Sequence, residues 1–242
     1  MRNVVFVCFV FLAAPAWAHT SGVIEQTCPL DGKTFKAELD MSGTTFGKQL
    51  DLKPVGPTAA PWRIPVCPLD GFVVYQKEFS DEELADLRSY VATPEYKAWF
   101  KKGETSHYLL ARLLEHRHAP EKAVAWAFLQ ATWQVQKDAA RYADYASEAL
   151  ARYTKLAATL PETDEQWPTA ALVAGELERR LGRFDDAQKR LRALIARPAF
   201  AEGFLRELCD YELVLVGKKD TAAHQMSEAS GPPKTAPRKP TP

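Results

Sequence analysis

The 242-residue chain lacks any long apolar run beyond its N-terminal one, and that run, residues 4–14, is shorter than the roughly 20 residues a membrane-spanning helix needs. It also lacks an excess of either charge, because 31 Lys and Arg balance 31 Asp and Glu and the two signs are interspersed. The first absence excludes a transmembrane protein. The second gives no reason to expect nucleic acid or an anionic lipid surface as a partner.

Catalytic motifs with a recognisable local pattern are missing as well. The chain contains no Gly-x-Ser-x-Gly, Ser-x-x-Lys, His-Glu-x-x-His or glycine-rich phosphate loop. The sequence therefore predicts a protein that is not an enzyme. One alternative is a hydrolase with paired acids, which a pocket of carboxyl groups with raised pKa would reveal.

The N-terminus is typical of an export signal. Arg2 supplies a positive charge, the apolar run follows, and Ala16-Trp17-Ala18 places small residues at both positions that specify a cut. Residues 1–18 are thus predicted to be a signal peptide, and the mature chain is expected to begin at His19 and to be periplasmic or secreted. No small-residue motif precedes a cysteine at the cut, so no lipid anchor is expected.

Cysteine is scarce, but two cysteines open an identical motif. Cys28-Pro29-Leu30-Asp31-Gly32 recurs as Cys67-Pro68-Leu69-Asp70-Gly71, and Cys209 is the third cysteine of the mature chain. Each motif has the frame of a zinc knuckle, a tight turn flanked by two cysteines with a glycine at positive φ, but aspartate replaces the second cysteine.

Three interpretations of this pair follow from the residues. Cys28 and Cys67 form a disulfide, or they bind zinc together with Asp31 and Asp70, or they are unpaired structural thiols. The aspartates also have a plainer interpretation, in which each side chain closes its own turn by accepting hydrogen bonds from nearby amides.

The chain changes character at Ser80. Residues 19–79 are rich in Gly, Pro and Thr, and their proline-rich connection is expected to wrap a small N-terminal module. Ser80-Asp81-Glu82-Glu83 is a capping box that predicts a helix start, and Thr93-Pro94 predicts a second one. Helices are expected over residues 80–217. Residues 218–242 are polar and proline-rich and are predicted to be a disordered tail.

The helical part has the pattern of stacked hairpins. Gly182, Phe184 and Asp185-Asp186-Ala187 separate two apolar stripes, which is typical of a tetratricopeptide turn. The predicted fold is therefore mainly α, with a small N-terminal knuckle and β-turn module followed by an array of tetratricopeptide-like hairpins. Trp126 and Trp133 share a second face of one helix, where they line a binding groove or belong to the core.

With these motifs the chain resembles a bacterial family catalogued as domain of unknown function 2225, whose members join two Cys-Pro-x-Cys-Gly knuckles to a tetratricopeptide-like region. The resemblance spans about residues 27–216. It implies a knuckle pair that holds Cys28 and Cys67 side by side, and in an oxidising compartment a disulfide between them is expected, with zinc as the alternative. Its most specific pieces are the two turns, Leu52-Lys53-Pro54-Val55-Gly56, Ala125-Trp126 and Ala131-Thr132-Trp133.

Stacked hairpins bury a continuous core and leave a concave face that suits a peptide or a partner protein. The sequence therefore predicts a periplasmic, non-catalytic interaction scaffold. The alternative function is zinc binding through the paired turns.

Overall fold

The computed structural model describes residues 19–230, so the predicted signal peptide and residues 231–242 of the predicted tail lie outside the described part. Within it, a small N-terminal sheet precedes an array of helices, which confirms the predicted fold class. None of the helices in this part is both apolar enough and long enough to cross a bilayer.

A β-hairpin opens the fold. β1 (Thr20–Thr27) pairs antiparallel with β2 (Thr34–Ser42), and the first Cys-Pro-Leu-Asp-Gly turn connects them, with Thr27 opposite Thr34. Side chains of β2 alternate between half-buried and exposed over most of its length.

The connection after β2 contains a short hairpin of β3 (Gly47–Lys48) and β4 (Pro54–Val55). We expected this connection to wrap the N-terminal module, and the Arg63 amide does donate to Asp40 there, at 2.7 Å. The hairpin itself docks on the helical array instead. Leu50 packs in a cluster with Trp167, and Lys53 Nζ donates to the Trp133 carbonyl at 3.4 Å.

Eight α-helices follow in the described part, and the first two begin where the sequence predicts. Ser80 and Glu83 form the reciprocal capping box, and the Thr93 hydroxyl accepts from the amide of Tyr96. Consecutive helices pack against each other, and α6 also contacts α8. The helices are α1 (Asp81–Val91), α2 (Pro94–Lys102), α3 (Ser106–His116), α4 (Glu121–Gln134), α5 (Ala139–Thr159), α6 (Trp167–Arg180), α7 (Phe184–Ile195) and α8 (Phe204–Gly217).

The turn between α6 and α7 has the predicted chemistry. Gly182 adopts φ +73°, a left-handed conformation that costs glycine little. A Cβ on Gly175 would lie 3.4 Å from Leu191 Cδ2, so a small residue suits the close approach of the two helices. This hairpin is present as expected, whereas the repeat character of the whole array stays a prediction.

The core consists of three buried clusters. One spans α3 to α6, and a second joins α6, α7 and α8 to Leu50. The third contains both Cys-Pro-Leu-Asp-Gly turns and also Leu87, Tyr96 and Leu113 of α1 to α3. The N-terminal module therefore shares its core with the first helices across the predicted boundary at residue 80.

Residues 218–230 correct the prediction of a disordered tail for the part that is described. Arg179, which is 0% exposed, donates to the carbonyl oxygens of Asp220 (2.6 Å) and Ala222 (2.9 Å). Gln225 forms a β-bridge with Gln49, and Met226 packs on the second cluster. A low content of apolar residues predicts disorder, but a buried guanidinium needs acceptors, and the polar backbone of this segment supplies them.

Two buried carboxyl groups lie near this arginine. Glu176 accepts two hydrogen bonds from Arg179, each 2.8 Å long, whereas Glu212 is 1% exposed and its Oε2 has no hydrogen-bond partner among the described residues. Burial raises the pKa of Glu212 well above its ordinary value, and the charge of Glu176 raises it further. Burial also raises the pKa of Glu176, to about 7, but its two hydrogen bonds from Arg179 favour the charged form. We therefore assign the negative charge of the pair to Glu176 and the proton to Glu212.

This proton assignment predicts that two matched substitutions change the stability by different amounts. Glu176→Gln leaves the Arg179 charge buried without its counter-ion and should lower the free energy of unfolding at pH 7 by about 3–5 kcal/mol. Glu212→Gln replaces a protonated carboxyl by a neutral amide of similar shape and should change it by less than about 1 kcal/mol. Denaturant unfolding of both variants measures the difference.

The pH dependence has a definite sign. Because the pKa of Glu212 is raised in the folded state, its contribution to stability is complete below the ordinary value of 4.5 and is lost as the pH rises through the folded-state pKa. The wild type should therefore lose more stability than Glu212→Gln when the pH is raised from 6 to 9. Equal destabilisation by Glu212→Gln and Glu176→Gln would contradict the proton assignment.

Candidate functional site

The two Cys-Pro-Leu-Asp-Gly turns meet at their cysteines. The Sγ atoms of Cys28 and Cys67 lie 2.14 Å apart, at disulfide distance. In each turn the glycine amide donates to the cysteine carbonyl, at 2.9 Å for Gly32 and 3.0 Å for Gly71, and both glycines have φ above +70°. The two turns thus share one backbone geometry.

The aspartates close these turns, as their plainer interpretation predicts. Asp31 Oδ1 accepts from the Lys33 amide at 3.0 Å, and Asp70 Oδ1 accepts from the Phe72 amide at 2.9 Å. Burial raises the pKa of Asp70, and the neighbouring charge of Asp31 adds to the rise.

Three of the four residues of the alternative zinc site lie together. Among the described residues, the ligand atoms of Cys28, Cys67 and Asp70 are all within 4.8 Å of one another. Asp31 does not belong to this group. Zinc binds cysteine as the thiolate, so two sulfur atoms bonded to each other are not available as ligands. Zinc binding at these turns is therefore a hypothesis for the reduced protein.

An apolar groove of about 860 Å³ lies on the helical array. α4, the C-terminal half of α5 and the first turn of α6 all contribute to it, together with the preceding loop and the β3–β4 hairpin. The groove is lined by Leu52, Lys122, Ala123, Trp126, Tyr153, Leu156, Leu160, Asp164, Glu165, Gln166, Thr169 and Ala170.

The two candidate tryptophans have different places. Trp126 is 40% exposed and lines the groove. Trp133 is 4% exposed, belongs to the core cluster and meets the Trp126 ring edge to face, with the ring centroids 5.3 Å apart. Trp126 thus presents its ring to solvent, and Trp133 supports that ring from the core.

The charged groups of the groove are few. Asp164 and Glu165 precede α6 on one side, and Lys122 stands on α4. Asp164 Oδ1 accepts from the Gln166 amide at 2.8 Å, which fixes this loop. An apolar, aromatic lining with a small number of placed polar groups is the usual composition of a binding site for small molecules or peptide side chains.

Most of the lining is not apparent from sequence. Tyr153 of α5 and Leu160, its C-cap residue, belong to an apolar stripe that predicts core positions, and nothing in the stripe shows that they also line a groove. Leu52 comes to the groove from a loop about 70 residues earlier in the chain than Trp126, and no local signal predicts that contact.

The carboxyl groups with the largest rise in pKa do not form a substrate pocket. Glu176 and Glu212 are each 1% exposed within the core, so a substrate in solvent does not reach them. Their arrangement supports the structural role described above and gives the hydrolase alternative no acid pair.

No family model, curated protein or solved structure matches the chain. The resemblance to the domain of unknown function 2225 family therefore stays a prediction.

The cysteines yield a direct prediction. Without reductant, the denatured mature protein should contain one alkylatable thiol, Cys209, and after reduction it should contain three. In the folded protein Cys209 should react slowly at pH 8, because burial raises the pKa of Cys209 to about 12. Intact mass after alkylation counts the thiols. Three reactive thiols without reductant, accompanied by stoichiometric zinc, would contradict the disulfide and support the metal alternative.

Proposed function

We propose that the protein is a periplasmic, non-catalytic interaction scaffold whose groove along α4 to α6 binds an extended segment of a partner protein. The observation that carries this proposal is a groove of about 860 Å³ with a half-exposed tryptophan, Trp126, in its lining. The export-type N-terminus and the cysteine pair at disulfide distance support the compartment, because disulfides persist where the environment is oxidising.

The shape of the groove suits a peptide. Its volume lies within the range of about 300–1,000 Å³ that is typical of ligand sites. Trp126 is held by edge-to-face contact with Trp133, so little side-chain entropy remains to be lost on binding. Rigid, partly exposed tryptophans are frequent among the residues that dominate binding energy at interfaces.

The array already holds one hairpin loop of the chain beside the groove. Leu50 and Leu52 of the β3–β4 hairpin pack on the second and first core clusters, respectively. Gln136 Nε2 donates to Gln49 Oε1 at 2.8 Å, and Lys53 Nζ donates to Gln136 Oε1 at 2.7 Å. A partner segment in the groove would use the same combination of apolar side chains and hydrogen bonds, directly next to Leu52.

A second candidate function, zinc binding by the reduced paired turns, is favoured by one observation. The Asp70 carboxylate lies with both cysteine sulfurs in a group that spans 4.8 Å. Reduction would release two thiolates there, and carboxylate oxygen is an acceptable additional ligand for zinc.

The scaffold proposal predicts a specific role for Trp126. A peptide display library selected on the mature protein should yield peptides that share a motif, and Trp126→Ala should weaken their binding at least about tenfold, as expected for loss of an aromatic anchor. Trp62→Ala is the matched control, because Trp62 is also exposed and does not line the groove. Titration of the selected peptides against each variant gives the affinities. Selected peptides that bind Trp126→Ala as tightly as the wild type would contradict the proposal.

A further inference from the structure

The residues that follow the described part have an unusual composition. Residues 231–242 read Gly-Pro-Pro-Lys-Thr-Ala-Pro-Arg-Lys-Pro-Thr-Pro, which includes five prolines and three cations and no acidic residue. Proline-rich sequences favour the extended polyproline II helix, and proteins recognise that helix in grooves lined by aromatic side chains. The composition therefore specifies a class of site: aromatic, apolar and bordered by acidic groups.

The path of the described chain brings Ser230, after which this segment begins, to the end of the array at which the groove starts. After α8 the chain runs back along that helix, where Tyr211 donates to Glu228 at 2.7 Å and the Ser230 hydroxyl donates to Glu207 at 3.3 Å in the first turn of α8. Phe200, just before α8, meets the ring of Trp167 at the start of α6 edge to face, with the ring centroids 6.0 Å apart. The last described residue thus lies at the same end of the array as the first turn of α6.

The groove starts at that first turn of α6, where Thr169 and Ala170 line it. Twelve residues in a polyproline II helix extend about 37 Å, at about 3.1 Å per residue. Since α6 and α8 are neighbours in the array, this reach is long enough for residues 231–242 to enter the groove.

The positive charge of residues 231–242 is complementary to the acidic border of the groove. Asp164 and Glu165 border the groove, and neither carboxylate forms a salt bridge with a residue between 19 and 230. Lys122 stands on the α4 side, so a basic segment is favoured beside the loop before α6 and disfavoured beside α4. Trp126, which is 40% exposed, supplies the aromatic surface that prolines contact, whereas Tyr153 is 6% exposed and lies at the floor of the groove.

We propose that the proline-rich basic segment 232–240 of this same chain docks in the groove, with prolines against Trp126 and a cation beside Asp164 and Glu165. Docked in this way, the segment competes with partner peptides. The inference rests on the proposed function of the groove as a peptide-binding site, and it names the chemistry of the ligand: an extended, proline-rich, basic segment.

The test uses the full mature chain and a fluorescent synthetic peptide of residues 231–242. In one variant Lys234→Glu, Arg238→Glu and Lys239→Glu reverse the charge of the tail, so that the chain's own segment no longer competes. A tethered segment has an effective concentration in the millimolar range, so the added peptide should bind this variant about tenfold more tightly than it binds the wild type. Fluorescence anisotropy at low ionic strength measures both affinities.

Substitutions in the groove locate the site of binding. Combined with the reversed tail, Asp164→Asn with Glu165→Gln should weaken binding of the peptide about three- to tenfold, and Trp126→Ala should weaken it at least as much. Asp185→Asn with Glu202→Gln is the matched control, because it removes two exposed carboxylates that do not line the groove. The asparagine at position 164 retains an oxygen that accepts from the Gln166 amide, so the loop is preserved.

Several results would overturn the inference. Equal affinity of the peptide for the wild-type and reversed-tail chains, or no binding at 1 mM peptide, shows that the segment does not occupy the groove. Binding that the groove substitutions leave unchanged places the segment elsewhere. Self-association of the wild type that tail reversal abolishes places the segment on a second copy.

The same measurements distinguish failure of the tail assignment from failure of the proposed function. If the tail peptide does not bind and display-selected peptides still depend on Trp126, only the tail assignment fails. If the selected peptides bind independently of Trp126, the proposed function of the groove fails.

Discussion

The burial of two consecutive arginines at the end of α6 constrains the rest of the structure. Arg179 and Arg180 have side chains that are 0% and 7% exposed, and a buried guanidinium is costly unless its donors and its charge are matched. Arg179 is matched by Glu176 and by the backbone of residues 220–222. Arg180 stacks on the Tyr142 ring and faces Asp51 at 3.8 Å, while its Nε and Nη1 donors have no hydrogen-bond partner among the described residues. The β3–β4 hairpin and the segment after α8 are thereby fixed on the same face of the helical array. This position of the hairpin places Leu52 in the lining of the groove.

The N-terminal module depends on the helices in a different way. It has no core of its own, since its two turns share a buried cluster with α1 to α3, and Arg88 and Tyr96 donate to the carbonyl oxygens of Leu30 and Gly71. The cysteine pair closes a separation of 39 residues, for which the chain-entropy model gives about 4 kcal/mol as an upper figure. A disulfide there compensates for the small amount of apolar surface that the module buries.

Features encoded within a few residues were predictable from sequence, and features that depend on distant partners were not. The capping box at Ser80, the start at Thr93 and the turn at Gly182 are local signals, and the helices follow them. The order in residues 218–230 depends on Arg179, some 40 positions earlier, and the docked β3–β4 hairpin depends on contacts with residues 133, 167 and 224. Trp126 and Trp133 have the same helical spacing signal, and only packing by neighbouring helices separates the exposed ring from the buried one.

Hydrogen exchange by mass spectrometry on Arg179→Met tests the central role of the buried arginines most directly, with Arg206→Met, a partly exposed arginine on α8, as the control. We predict that Arg179→Met loses amide protection in residues 220–229 and at Leu50, whose amide donates to the His224 carbonyl at 2.9 Å, while α3 to α5 keep theirs. The control should match the wild type. Unchanged protection at Leu50 and residues 220–229 in Arg179→Met, or a uniform loss across all helices, would contradict the account.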